Sequence, residues 1–247
     1  GDSPDPPDCT GRRLQETSSD IHVSKAESIR GPWSTPTPVV FNSTSEYLQG
    51  GYTNPSPHFM PDGSVYLAFQ AGFSGKGKHA HGHALVGIAH APTPSSAFTY
   101  VTPDPVTPMD WDPLHPICWA GVDEDPFLWI DNRGFHILTH GMCPSGMRQA
   151  HYKFSEDGVK WHTSPRQTYH YTVQYTDARP HVFARMERPQ LYFEGGYDEN
   201  TGLAGTAKVL INGVCGLGIG HNHSDYECAF DKLTGMTWTL ARPLGSD

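Results

Sequence analysis

A three-copy internal repeat constrains the fold of this chain more than any other sequence feature. Each copy has a polar residue, a proline, an apolar run, a turn and a second apolar run. The prolines are Pro55, Pro126 and Pro189, which are 71 and 63 residues apart. In the first two copies the turn ends at Gly63 or Gly134, and the third copy has a longer turn. Short apolar runs on either side of such turns predict β-hairpins.

Each predicted hairpin is followed by a second unit, in which a strand and a polar turn precede an aromatic residue. These units end at Phe98, Trp161 and Trp238. Two hairpins per period predict a four-stranded antiparallel sheet, and a sheet repeated along the sequence is typical of a β-propeller. A β-sandwich is the alternative, but sandwiches do not repeat a motif in sequence. The predicted fold is therefore all-β, with four-stranded blades.

The composition favours one large domain with many turns. The 247 residues include 26 Gly and 22 Pro, only 17% are charged, and no break in composition separates two domains. We predict a Pro- and Asp-rich loop or arm over 1–19 and a single propeller domain over 20–247. No apolar run is long enough to span a bilayer, and no signal peptide is recognisable, so the chain reads as a mature or cropped product.

The first blade is predicted to be incomplete. Residues 20–41 form a strand, turn and aromatic unit that ends near Trp33, but no inner hairpin precedes it. Because an outer hairpin alone exposes a sheet edge, which proteins avoid, we expect an upstream segment or a second chain to complete this blade.

The charge of the chain excludes one class of partner. The formal net charge is -9, and the sequence has no basic run. Binding to nucleic-acid phosphates requires clustered Lys and Arg, so a nucleic-acid partner is not expected.

Two glycosylation sequons favour an extracellular protein. Asn42 and Asn222 each begin an Asn-x-Ser/Thr triplet. With scattered cysteines, they predict a secreted glycoprotein.

The five cysteines contain no Cys-x-x-Cys pair, which argues against zinc ribbons and thioredoxin-like sites. Cys118 with Cys143 and Cys215 with Cys228 are plausible disulfides. Cys9 is then left to bond to a segment outside this sequence.

Three consecutive carboxylates mark the most prominent candidate site. Asp123, Glu124 and Asp125 stand where the first strand of the second repeat begins. Acids packed at a strand end lose solvation and repel one another, so such clusters usually mark a site.

Two further stretches are candidate binding segments. Trp111 and Trp119 lie in a proline-rich loop before the acidic cluster, where they could stack on sugar rings or cover hydrophobic strand ends. His79, His81 and His83 alternate, but no Cys or carboxylate lies close to them, so they predict a solvated or substrate-facing loop and not a metal site.

The three blade openings resemble a known superfamily. Asn54-Pro-Ser, Glu124-Asp-Pro-Phe-Leu-Trp and Glu187-Arg-Pro-Gln-Leu look like those of the five-bladed β-propeller glycoside hydrolases, which include families 43, 62, 117 and the invertase-like family 32. The resemblance covers roughly residues 20–242 and is a pattern of openings, not close identity. It implies a central pocket lined by inner strand starts, an oligo- or polysaccharide partner, and three acids acting as base, pKa modulator and general acid.

The resemblance assigns roles to individual residues. Glu124, which precedes Asp-Pro-Phe, matches the general acid, and Asp123 and Asp125 would raise its pKa by repulsion. Asn54 stands where the family has an orienting Asp, which puts hydrolysis in doubt because an amide supplies no charge. The base would come from the missing inner hairpin, from Asp125 or from Glu187.

Two more residues complete the implied pocket. Arg188, beside Glu187, is a candidate substrate clamp. His140 ends the hairpin strand near the pocket axis, where related propellers use a His to help hold a central ion or water. A structural calcium ion in the pore is therefore the one cofactor that the resemblance implies.

Two functions from different classes follow. The chain is a secreted glycosidase with Glu124 as its acid, or it is a non-catalytic propeller that serves as a glycan-binding or structural module of an extracellular assembly. The three carboxylates favour the first function, and Asn54 and the incomplete blade favour the second.

Overall fold

The structure is a computed structural model that describes residues 21–45, 47–48, 51–72, 84–106, 123–141, 150–175, 180–216 and 237–245. These residues form β-strands, turns and irregular segments, and no helix occurs among them. The described residues therefore contain no helix that is long and apolar enough to cross a membrane. The strands are β1 His22–Val23, β2 Thr37–Pro38, β3 Thr53–Phe59, β4 Val65–Gly72, β5 Ala84–Ala91, β6 Thr99–Tyr100, β7 Asp123–Asp131, β8 Gly134–Gly141, β9 Ala150–Ser155, β10 His162–Thr163, β11 Thr172–Val173, β12 His181–Tyr197, β13 Ala204–Gly216 and β14 Thr237–Pro243.

The strands form three four-stranded antiparallel sheets and one two-stranded sheet. Their orders are β3-β4-β5-β6, β7-β8-β9-β10 and β11-β12-β13-β14, with β1 paired to β2. Chain order equals spatial order in every sheet, so each strand pairs with the strand that follows it along the chain. The all-β prediction and the prediction of four-stranded antiparallel sheets are confirmed.

The predicted hairpins are the pairs β3–β4, β7–β8 and β12–β13. In each, the polar residue before the proline has a positive φ: 48° at Asn54, 51° at Asp125 and 51° at Arg188. The pairing register shifts at the same place in all three strands. Proline cannot donate to the ladder, so strand pairing is interrupted there and a β-bulge absorbs the proline and the residue before it.

Consecutive sheets pack face to face in chain order. One core cluster joins the β1–β2 region to the first four-stranded sheet and includes Ile21, Val39 and Phe69. A second cluster joins the first and second four-stranded sheets, and a third joins the second and third. Ser56 Oγ also accepts a hydrogen bond from the backbone N–H of Leu128 at 2.8 Å, which ties β3 to β7. The three bulged strands are thus held as neighbours.

The third four-stranded sheet departs from the pattern of the other two. β14, which contains Trp238, pairs directly with β13, whereas Trp161 stands just before the fourth strand of its own sheet. The segment expected to supply the intervening strand, 226–230, lies outside the described residues. So do 1–19, and the proposed arm and the domain boundary at residue 20 stay predictions.

Candidate functional site

The three bulges bring their equivalent residues to one point. Asn54 Nδ2 donates a hydrogen bond to Asp125 Oδ1 at 2.8 Å, and the backbone N–H of Arg188 donates to Asp125 Oδ2 at 3.3 Å. Asn54, Asp125 and Arg188 occupy the same position of the repeat but are 71 and 63 residues apart along the chain. Both oxygens of the Asp125 carboxylate therefore accept hydrogen bonds from the neighbouring sheets.

Glu124 lies beside Asp125 in a half-buried position. Burial, together with the charge of Asp125, raises the pKa of Glu124, while a hydrogen bond from Gln70 opposes the shift. That bond runs from Gln70 Nε2 to Glu124 Oε1 at 3.3 Å, and Asn54 Nδ2 in turn donates to Gln70 Oε1 at 2.6 Å. Glu124 is thus a carboxyl group that resists ionisation.

Asp125 shares this tendency, although it has a cation beside it. Burial raises the pKa of Asp125, and Arg188 acts against the shift through its charge and its backbone N–H. The guanidinium contact is long, with 3.8 Å between Arg188 Nη1 and Asp125 Oδ1. The direction of both pKa shifts is that expected of adjacent acids shielded from water.

Asp123 is not part of this group. Its carboxylate is buried on β7 and contacts Lys153 Nζ at 2.9 Å, His151 Nδ1 at 2.7 Å and Thr139 Oγ1 at 3.0 Å. Burial by itself would raise the pKa of Asp123, but the charges of Lys153 and His151 outweigh it and hold the pKa well below the usual range. Asp123 is therefore an ionised acid within a polar core, and Asp125 with burial accounts for the raised pKa of Glu124.

Glu187 occupies the repeat position that corresponds to Glu124 and lies on the solvent side of the group. Its Oε1 accepts a hydrogen bond from Arg185 Nη1 at 3.1 Å, and a quarter of its side chain is exposed. Glu187 is near enough to act electrostatically on both Glu124 and Asp125. The structure therefore brings the three proposed catalytic residues into one cluster.

His140 adds an imidazole to the carboxylates of the cluster as a possible metal ligand. It pairs with Glu124 across the β7–β8 ladder and is fully buried. One ligand atom each from Glu124, Asp125 and His140 lie within 4.8 Å of one another. Two carboxylate oxygens and an imidazole nitrogen suit a divalent cation.

Three contributing residues were missed from the sequence. Gln70 stands opposite Thr53 on β4, as His140 stands opposite Glu124 on β8, so aligning the repeats one strand further could have identified it. Lys153 and His151 lie on β9 at alternate positions, and a Lys between Tyr152 and Phe154 in a predicted strand was the available signal.

Several predicted residues lie outside the described ranges: Trp111, Trp119, Cys118, Cys143, Asn222 and Cys228. Cys215 is buried on β13, and both disulfide pairings stay predictions. Asn42 lies next to the first four-stranded sheet, where its Oδ1 accepts a hydrogen bond from Thr99 Oγ1 at 2.8 Å. Its glycosylation is likewise still a prediction.

No protein-family model and no curated protein matches the chain. Among solved structures, a family 117 glycoside hydrolase produced by the marine bacterium Zobellia galactanivorans has a TM-score of 0.47 and 14% identity, over 89% of this chain and 49% of that chain. A glycosyl hydrolase from Bacteroides ovatus has a TM-score of 0.37 and 20% identity, over 47% of this chain and 32% of that chain.

A third similar structure concerns the GH130 family of mannoside phosphorylases, which contains glycoside hydrolases that target beta-1,2 mannosidic linkages in Candida mannan. Its TM-score is 0.40 at 14% identity, over 76% of this chain and 48% of that chain. The chain thus spans half or less of the length of these three structures. At these identities and TM-scores the likeness assigns no activity to the chain.

Proposed function

We propose that this chain is a glycoside hydrolase-like domain in which Glu124 is the general acid. The observation that carries the proposal is the half-buried Glu124 carboxyl group, whose pKa is raised by burial and by Asp125. A general acid must hold its proton until the glycosidic oxygen departs, so a raised pKa is what the role requires. Asp123, the neighbouring acid with a lowered pKa, is unsuited to it.

Glu187 is the proposed base, and Asp125 is the residue that tunes the acid. Both Asp125 oxygens already accept hydrogen bonds, from Asn54 and from Arg188. Glu187 accepts one hydrogen bond, from Arg185, and is partly exposed, so it can approach a water molecule or the sugar. Glycoside hydrolysis needs two carboxyl groups, one as the acid and one as the base or nucleophile.

The proposed setting is the central pocket of a five-bladed propeller that is secreted and glycosylated at Asn42 and Asn222. Support for the propeller comes from consecutive four-stranded sheets that pack face to face and from three equivalent strand starts that meet at one site.

Hydrolysis of a panel of polysaccharides and aryl glycosides tests the acid. Glu124→Gln should lower turnover of glycosides with poor leaving groups by about 10²- to 10⁴-fold, because the departing oxygen then leaves as an anion. Dinitrophenyl glycosides, whose leaving group needs no proton, should lose much less. Glu194→Gln is the matched control, since Glu194 is exposed and pairs only with Lys208 in the described part of the chain. Equal losses for both leaving groups would contradict the assignment.

Asn54 favours a second candidate function, a glycan-binding module without catalysis. In that case Asn54 and Arg188 hold Asp125 as a structural carboxylate, and the carboxylate oxygens of Glu124 and Asp125 would be the ligands that this cluster offers to a calcium ion. Calcium would ionise Glu124, so the two uses exclude each other. Calcium-dependent glycan binding with no turnover of any glycoside would establish this second function.

A further inference from the structure

We infer that the site binds an anionic carbohydrate, a uronate or a sulfated sugar, and that Arg188 is the residue that recognises the anionic group. This inference rests on the proposed carbohydrate site and names its substrate class. Arg188 is the one bulge residue of the three with a cationic side chain. It stands at the edge of the Glu124–Asp125 pair, where a bound sugar would lie.

The contacts of Arg188 leave its guanidinium available. Its side chain is 69% exposed, whereas that of Asp125 is 6% exposed. The approach to Asp125 is 3.8 Å, longer than a hydrogen bond, and among the described residues the guanidinium donates no hydrogen bond. A guanidinium presents five N–H donors in a planar fork that fits a carboxylate or sulfate, and at Arg188 none of them is used in a hydrogen bond to another described residue.

The backbone holds this cation in place independently of its side chain. Arg188 has a φ of 51°, a left-handed conformation that is strained for a residue with a Cβ. The hydrogen bond from its N–H to Asp125 and the fixed φ of Pro189 maintain that conformation. The backbone at Arg188 is therefore fixed before a ligand binds, so binding costs little backbone conformational entropy.

Two other readings of Arg188 can be distinguished from anion recognition. If Arg188 only offsets the charge of Asp125, a lysine at this position should serve equally well. If it is only an exposed surface arginine, its loss should resemble the loss of Arg133, which is 67% exposed and lies at the opposite end of β7. If the planar guanidinium of Arg188 binds the anion, both Arg188→Lys and Arg188→Gln should lose that binding, because neither side chain has a guanidinium.

The experiment compares matched glycans that differ only in charge. Oligogalacturonates are paired with their methyl esters, and sulfated galactans with their desulfated forms, and binding is measured by calorimetry with the full chain. The wild-type chain should prefer the charged member of at least one pair by about tenfold or more, as one charge-assisted fork allows. The pair that shows the preference identifies the source of the anion.

The variants then assign the preference to Arg188. Arg188→Gln and Arg188→Lys should each reduce it about tenfold, while Arg133→Gln should retain it. All of these residues carry a Cβ, so the backbone strain at position 188 is unchanged. A preference that survives in Arg188→Lys, equal binding of charged and neutral partners, or binding of no pair would overturn the inference.

Failure of this inference is separable from failure of the proposed function. Hydrolysis of neutral glycosides that depends on Glu124, with no preference for charge, would keep the function and reject the anionic substrate. Arg188-dependent binding of charged glycans without any turnover would keep the anionic ligand and reject the enzyme.

Discussion

Asp123 and Glu124 are adjacent acids on one strand, and the fold gives them opposite electrostatic environments. The Asp123 carboxylate contacts Lys153 and His151 in the interior, so its pKa is lowered. Glu124 faces Asp125 and has an amide, Gln70, as its hydrogen-bond donor, so its pKa is raised. Successive residues of a strand point to opposite faces, which is why neighbouring acids have unrelated partners. Asp123 is therefore adjacent to the Glu124–Asp125 cluster in sequence but is not part of it in space.

The repeat shows how unusual the environment of Asp123 is. The equivalent positions in the other two hairpins are Tyr52, which packs against the core of the first sheet, and Met186, which is fully buried. A buried ion pair seldom stabilises a protein more than apolar side chains of similar volume. We therefore infer that the Asp123–Lys153 ion pair adds little net stability. Its role is to fix the start of β7 and with it the position of Glu124.

The largest predicted effect comes from removing the cation from the Asp123 environment. Lys153→Met keeps the volume of a side chain that is 1% exposed but leaves Asp123 without its strongest partner. We expect the free energy of unfolding to fall by about 3–5 kcal/mol, which is the usual effect of removing one partner of a buried ion pair. Urea denaturation measures it, with Lys160→Met, at an exposed position, as control. Similar losses in both variants would show that the pair is unimportant.

The next prediction is that neutralising the two adjacent acids changes stability in opposite directions. Asp123→Asn should destabilise the protein at pH 7. Because the folded pKa of Asp123 is lowered, its contribution is complete above the unfolded value of about 3.9 and is lost as pH falls through the folded pKa.

Glu124→Gln should instead stabilise the protein at pH 7, by about 1 kcal/mol, as removal of an active-site charge often does. Because the folded pKa of Glu124 is raised, ionisation destabilises the fold, and that penalty disappears as pH falls through the folded pKa towards about 4.3. Thermal unfolding of both variants between pH 4 and 8 checks the pair. The same sign for both at pH 7 would contradict the comparison.

The last prediction concerns a residue that contacts the two acids with raised pKa values, Glu124 and Asp125. Asn54→Asp replaces a donor that lies 2.8 Å from Asp125 with a third acid. We expect a stability loss on the order of 1 kcal/mol at pH 7 and a further rise in the pKa of Glu124 and Asp125. Carboxyl titration by NMR measures the rise, and Asn212→Asp, at a buried position that contacts the Glu187 carbonyl, is the comparison variant. If the pKa of Glu124 did not change in Asn54→Asp, residue 54 would have no electrostatic effect on Glu124 and the prediction would be wrong.

The sequence by itself determined the repeat and its consequences. Apolar runs around turns determined three hairpins, because this property depends only on residues close along the chain. The resemblance of the blade openings also placed Glu124, Asp125, Glu187, Asn54 and Arg188 at one pocket, but it counted Asp123 with them.

Only the tertiary structure decided how these groups are charged. Whether an acid is ionised depends on what packs against it from other strands, and the relevant neighbours, Lys153 and Gln70, lie 30 and 54 residues from the acids that they contact. Sequence adjacency suggested that Asp123 raises the pKa of Glu124. In the structure, however, the charge of Asp123 is paired with Lys153 on β9. Electrostatic energy falls with distance in space and is indifferent to distance along the chain, so the pKa values could be assigned only once the sheets were in place.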